Sequence, residues 1–308
     1  LVLPHTYWSD KLTLFSLAIH RNEVGMTALS FGIKTAPQHT SYEAIREVWR
    51  SADAEPSIEH AWLFDHMNPI NSDVTGPCLE GWTALAALAA ETSRLRIGLM
   101  VAGNTYRHPA VLAHIVATLD VISQGRVDLG IGAGWNEYEH ASMDIPLYAP
   151  GERIRRLDEA CDLMKRLFTE STVDFDGRYY TLKEARLEPK PIHKPYPPFV
   201  IGGSGEQLTL RVVAKHADIW NFSGGTVETF VKKVEILHGH CAAIGRNPGE
   251  ITLGIQTRVD FDDIPATNTT IQQFVDVGAR HIVLTLMPPY PASAIRRIAE
   301  EVIPEISI

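Results

Sequence analysis

From Leu29 onward the chain switches repeatedly between two hydrophobic patterns. Short runs rich in β-branched and aromatic residues predict strands, and intervening stretches with apolar positions three or four residues apart predict helices. Leu29–Lys34 predicts a first strand and Tyr42 to Ala54 a helix. Ala61–Phe64 predicts a second strand, Leu79–Glu91 a helix and Leu95–Ala102 a third strand. The next helix opens at Pro109, where the fixed φ of proline suits a first turn. Val111, Leu112, Ile115, Val116, Leu119 and Ile122 recur along it at helical spacing. Val127–Ile131 predicts a fourth strand that runs out into Gly132 and Gly134.

The alternation then pauses. A helix is expected from Glu152 to Phe168, with Ile154, Leu157, Cys161, Met164 and Phe168 on one face. Val173–Leu182 reads as a hairpin turning at Asp176-Gly177, and five prolines between Glu188 and Pro198 demand an extended connector. Alternation resumes with Phe199–Ile201, a glycine-rich turn running into a helix that ends near His216, and Asp218–Phe222. A helix over Val227 to Ile244, a strand at Ile251–Val259, a helix over Thr270 to Val277, a strand at His281–Leu286 and a helix over Ala292–Val302 complete the pattern. Alternating strands and helices imply parallel pairing. Eight such units predict an α/β fold, a (β/α)8 TIM barrel with an insertion between the fourth and fifth strand units. An open Rossmann-like sheet is the alternative, but no G-x-G-x-x-G follows the first strand.

Composition adds boundaries to this picture. With 308 residues, 45% of them hydrophobic, the chain suits one large barrel, and a net charge of −9 argues against nucleic acid as a partner. Cys78, Cys161 and Cys241 lack C-x-x-C spacing and read as three reduced thiols of a cytoplasmic protein. No apolar run reaches membrane-spanning length. Residues 1–25 precede Met26 and the first strong strand. They read as an N-terminal extension foreign to the barrel, which leaves 26–308 as a single domain.

Candidate chemistry is sought where each strand ends, because that end of such a barrel carries the active site. After the second strand come Asp65 and His66, a proton-shuttling imidazole with a carboxylate that could orient it; a His bonded only to backbone is the plainer reading. After the third, Asn104 and Thr105 could bond a heteroaromatic ring and Arg107 could meet an anion or simply face solvent. After the fourth, Gly132, Ala133, Gly134 and Trp135 allow close approach of a ligand, or merely tight packing. After the fifth, Gly202, Gly203, Ser204 and Gly205 lead into a helix and form the strongest physical signal, a phosphate site made of free amides and a hydroxyl. His66, His108, His140, Asp65 and Glu139 could in principle hold a metal. None stands in H-x-H or H-E-x-x-H spacing, so no metal site is expected, and no G-x-S-x-G elbow occurs.

Several of these segments together resemble the luciferase-like oxidoreductases, the bacterial luciferase-like superfamily. They are Phe31-Gly32-Ile33, Trp62 to His66, Asn104 to Ala110, Asp120 to Arg126, Gly130 to Trp135, Glu188 to Pro191 and Ile201 to Gly205. The resemblance runs from Met26 to the C-terminus. It implies a barrel that binds FMN or the deazaflavin coenzyme F-420, and the Asp65-His66 pair implies the F-420-dependent branch. On this resemblance His66 lines the ring and Gly202 to Gly205 hold the phosphate. It also implies a non-proline cis peptide at Leu99-Met100, pressed against the ring, and a homodimer. In the deazaflavin-dependent sugar dehydrogenases of the family a Glu stands where this chain has Trp135, and a Trp where it has Ile70. Trp135 and Trp62 therefore imply a less polar pocket than one for sugar phosphate.

The expected activity is hydride transfer between reduced coenzyme F-420 and a small, fairly apolar substrate. The alternatives are an FMN-dependent monooxygenase of the same family and a non-catalytic flavin-binding barrel.

Overall fold

The computed structural model describes residues 28–308, so the extension proposed for residues 1–25 lies outside the described residues. In chain order the strands are β1 (Ser30–Thr35), β2 (His60–Leu63), β3 (Arg96–Leu99), β4 (Ala102–Gly103), β5 (Val127–Gly132), β6 (Val173–Asp176), β7 (Thr181–Ala185), β8 (Phe199–Gly202), β9 (Ile219–Phe222), β10 (Thr252–Arg258) and β11 (His281–Leu286). The helices are α1 (Tyr42–Ala54), α2 (Gly81–Glu91), α3 (Pro109–Ile122), α4 (Glu137–Ser142), α5 (Pro150–Thr169), α6 (Thr209–His216), α7 (Val227–Ala243), α8 (Ile264–Asp276) and α9 (Ala294–Arg297).

Parallel pairing runs from β3 through β2, β1, β11, β10, β9 and β8 to β5. The ring closes where Ile97 and Gly98 of β3 face Val127 and Asp128 of β5. β4 continues the line of β3 and pairs with the end of β5. The expected (β/α)8 barrel is therefore present, with α4, α5 and the β6–β7 hairpin inserted between its fourth and fifth strands. The hairpin is held down by Glu159 of α5, whose carboxylate accepts from the backbone N–H of Arg178, Tyr179 and Tyr180 at 3.0, 2.8 and 2.8 Å.

Strand alternation explains the two packing layers. Phe31 and Ile33 of β1 and Val127, Leu129 and Ile131 of β5 join the main core with helix residues such as Ile45, Trp49, Leu85 and Leu112. The alternate positions fill the barrel interior. There Arg96 Nε donates to Asp128 Oδ2 at 2.9 Å, and the buried rings of His60 and His281 stack at 4.0 Å. Trp62 Nε1 donates to His60 Nδ1 at 2.7 Å, and its ring packs with Met100, Val200 and Val283. Trp62 thus belongs to the filled interior and not to the ligand pocket, correcting the expectation from sequence. Burial pushes His281 down to about 4, so the stacked pair stays neutral.

The lower loops share one device. Helix C-termini leave carbonyls without partners, and an arginine in a helix-to-strand connection, either the helix's own or the next one along the chain, supplies donors. Arg94 reaches the Ala52 and Glu55 carbonyls after α1 at 2.9 and 2.7 Å. Arg126 reaches those of Ala89 and Thr92 after α2, and of Leu95, at 2.8, 2.9 and 2.8 Å. Arg246 serves Ala214 and Ala217 after α6, and Arg280 serves Val275 of α8. The Asp120 to Arg126 motif is therefore a structural corner. Gln124 and Gly125 turn it with φ of 58° and 84°, and Asp120 Oδ2 accepts from His193 N at 2.9 Å.

Three elements differ from the sequence expectation. α8 begins at Ile264, six residues before the predicted Thr270, because Asp263 caps Ala266 N and Pro265 occupies the first turn; Thr267, Asn268, Thr269 and Thr270 hide the apolar period. The short α4 was not expected at all, since six residues carry too little periodicity. A turn separates Gly205 from α6, so the glycine-rich segment does not run directly into the helix. Among the described residues no helix is long and apolar enough to cross a membrane, and the three cysteines are free.

Arg126→Met should remove donors from four backbone carbonyls at one corner. The expected loss is about 2 kcal/mol or more, read as a lower midpoint in urea unfolding; an unchanged midpoint would show that water replaces the guanidinium without cost.

Candidate active site

One buried carboxylate organises the top of the barrel. Asn136 caps α4 by accepting from Glu139 N at 3.3 Å, which places Glu139 on the first turn with no solvent exposure. Its Oε2 lies 2.7 Å from His66 Nδ1 and accepts from the Tyr106 hydroxyl at 2.7 Å. Its Oε1 accepts from the backbone N–H of Met67 and Asn68, at 2.5 and 3.0 Å. Burial alone would raise the Glu139 pKa, but the hydrogen bonds from His66 and Tyr106 outweigh it and hold the carboxyl at about 2. An ionised Glu139 accepts from Nδ1–H and leaves Nε2 as the nitrogen free of partners.

Asp65 plays a different part from the one expected. It makes no hydrogen bond to His66; it accepts from Arg107 Nη1 and Nη2 at 2.6 and 3.1 Å and from Gly103 N at 3.3 Å. Arg107 also pairs with Glu80, so it is committed to neighbouring carboxylates and not to a ligand anion. The orienting carboxylate of His66 is Glu139, which the sequence had offered only as a rejected metal ligand. The spacing Asn136-x-x-Glu139 is that of a capping box and could have revealed the helix, though not the partner 73 residues away.

Above this network opens a cavity of about 550 Å³, within the range of small-molecule sites. Asp65, His66, Met100, Ala133, Gly134, Trp135, Gly202 and Gly203 line it, as their positions at strand ends imply. Four expected residues do not. Leu99 is fully buried with its side chain in the outer core, because alternation turns it toward α2. Asn104 is buried and donates to the Tyr180 hydroxyl at 3.2 Å. Ser204 and Gly205 lie beyond the lining, in the loop that precedes the turn into α6. Thr105 is likewise occupied, 2.8 Å from His140 Nε2. The cis peptide falls at Met100–Val101, one residue beyond the expected Leu99-Met100.

Val101 gives the glycines their meaning. A Cβ on Gly132 would sit 2.9 Å from Val101 Cγ2 and one on Gly202 3.1 Å from it, whereas one on Gly130 would strike the Leu99 carbonyl oxygen. The missing side chains of β5 and β8 thus let Val101 reach across the mouth and leave backbone on either side of it. His66 is flanked edge-on by Phe64 at 5.0 Å and Trp135 at 5.6 Å, and Trp135 remains 55% exposed.

Polar groups missed from sequence complete the cavity. Lys34 Nζ donates to Gln256 Oε1 at 2.7 Å, and burial pushes the ammonium down to about 8. Asn221 is 2% exposed with Oδ1 unpartnered. A lone lysine at an alternate position of an otherwise apolar strand was the available signal for Lys34. A planar heteroaromatic ring with a polar edge and a phosphate tail fits this lining: flat backbone beside Val101, an unsatisfied amide, and a glycine loop with Gly203 at φ 116°.

Known proteins share this barrel. The profile described as luciferase-like monooxygenase matches residues 23–278. An uncharacterized protein of Mycobacterium tuberculosis is 31% identical over 242 residues, covering 76% of this chain and 80% of that one. An F420-dependent glucose-6-phosphate dehydrogenase of Kineococcus radiotolerans is 32% identical over 215 residues, covering 69% and 62%. Among solved structures, an F420-dependent secondary alcohol dehydrogenase superposes with a TM-score of 0.80 at 18% identity, covering 91% of this chain and all of that one. The F420-dependent tetrahydromethanopterin reductase of Methanopyrus kandleri gives 0.76 at 19%, covering 91% of this chain and again all of that one. With the profile spanning most of its length and the same barrel beneath, the chain belongs to the luciferase-like monooxygenase family.

Proposed function

We propose that the chain is an oxidoreductase that binds coenzyme F-420 at this mouth and acts on a small, fairly apolar organic substrate. The observation that carries the reading is the cradle itself: backbone of β5 and β8 bared by glycine around Val101, facing a His66 whose Nδ1 is fixed by Glu139. Relatives named as F420-dependent dehydrogenases support the cofactor. When bound, a deazaflavin supplies or takes up the hydride, the electronic step no side chain can perform.

The protein's own share is position, water exclusion and one proton. Met100, Val101, Ala133, Gly202 and Gly203 would hold the cofactor, with Asn221 and Gln256 offering hydrogen bonds. His66 Nε2 would accept a proton from a substrate hydroxyl during oxidation or return it to a carbonyl oxygen during reduction, while the ionised Glu139 stabilises the imidazolium. Trp135, Ile70, Phe64 and Ile154 give the substrate side an apolar lining. That composition favours an alkyl or aromatic alcohol or ketone over a sugar phosphate.

Three outcomes test this reading. Titration of the purified chain, followed by fluorescence, should show tight binding of F-420 and weaker binding of FMN. The reverse order would favour a flavin monooxygenase, and binding of neither would refute a flavin-type site. His66→Ala should retain F-420 binding but lower kcat by about 100-fold or more; unchanged turnover would remove His66 from the chemistry.

Glu139→Gln should also unfold more easily at neutral pH. Because the folded carboxyl titrates at about 2 against an ordinary 4.5, its contribution is present above 4.5 and is lost as pH falls toward 2. The urea-midpoint gap between wild type and variant should therefore be constant from pH 7 to about 5 and close below that. A gap independent of pH would contradict the assignment.

A further inference from the structure

The basic residues of α5 are matched, with one exception. Arg156 pairs with Glu152, with Nε to Oε1 at 3.0 Å, and lies over the Tyr148 ring at 3.7 Å. Arg166 pairs with Glu170, and Lys165 donates to the His216 carbonyl. Arg153 forms no ion pair and no side-chain hydrogen bond among the described residues, and its Nε is buried without an acceptor. The residue is only half-buried, but a buried N–H in that state costs free energy unless something else supplies the acceptor.

Arg153 lines the same cavity as Gly202, Gly203 and Thr209. The loop around it is built for an anion. Trp220 Nε1 holds the Gly203 carbonyl at 2.8 Å, and the amides of Ser204 and Gly205 donate to nothing within the described residues. Gly203 and Gly205 fold closely over Thr209, where added Cβ atoms would come within 2.9 Å of Cγ2 and 2.8 Å of Oγ1. The other charges of the cavity are spoken for: Lys34 by Gln256 and Asp65 by Arg107. Asn221 is buried beside Gly202 with a side-chain oxygen unpartnered, and its amide can turn to donate.

We infer that Arg153 is the cation that binds the phosphate group of the cofactor, closing from α5 onto the loop that follows β8. This rests on the proposed cofactor reading and extends it to a residue of the inserted segment. Arginine suits the task because its planar fork gives two parallel N–H donors to phosphate oxygens.

The test compares ligands that differ only in phosphate. Full-length wild type, Arg153→Met and Arg153→Lys would be titrated by fluorescence with F-420 and with its deazaflavin core lacking the phosphate tail, and in parallel with FMN and riboflavin. Thermal unfolding would check that the variants fold. The expected result is a loss of about tenfold or more in affinity of Arg153→Met for the phosphorylated member of the pair that binds. The phosphate-free member should bind unchanged, and Arg153→Lys should fall between. An equal loss for both members would mean that Arg153 acts on the ring or the fold. No loss for either would assign the guanidinium to a substrate anion or to none. Either result overturns the inference while leaving the cofactor reading intact. Wild type that binds none of the four would instead overturn both.

Discussion

The top of this barrel depends on one buried carboxylate having enough donors. Glu139 sits where an isolated charge would be expelled, and it stays because four groups donate to its two oxygens. The donors come from the loop after β2 and the loop after β4 and the acceptor from the first turn of α4, so three segments that share no sequence proximity are tied at one point. Removing the charge would release the imidazole, the Met67–Asn68 turn and the Tyr106 hydroxyl together. An imidazole held this way keeps its free nitrogen at the cavity without relying on loop stiffness.

The two ends of the barrel solve opposite problems. At the lower end, carbonyls left over from α1, α2 and α6 are satisfied by Arg94, Arg126 and Arg246 of the neighbouring unit's connection, and those of α8 by Arg280 of its own. At the upper end the chain withholds side chains: Gly132 and Gly202 leave backbone facing Val101, and Gly130 makes room for the Leu99 carbonyl. Between them the interior is filled by the Arg96–Asp128 pair, the His60–His281 stack and Trp62, so the cavity has a solid floor.

Most of the fold was legible from period and punctuation. Strand positions, the hairpin at Gly177 and the pause before β8 all follow from alternation, glycine and proline. The site was legible as a set of strand ends and no further. Spacing put Asp65 next to His66 in sequence, but adjacent strand-end residues point apart, and the orienting carboxylate came from 73 residues on. Alternation sent Leu99 outward and Met100 inward, but Val101, which the same period would turn outward, lies on the cavity side because β3 ends at Leu99 and the backbone leaves the strand there. Lys34 and Arg153 were hidden because a charge in a strand or on a helix shows its partners, or their lack, only after folding.

Trp135 has a consequence of another kind. Trp49, Trp62, Trp82 and Trp220 are sealed from solvent, whereas Trp135 is largely open and rests its edge against His66. The molecule therefore carries an optical reporter at its own entrance. Its emission is tuned by whatever approaches the imidazole, while the buried indoles supply a steady background that registers only the loss of the fold.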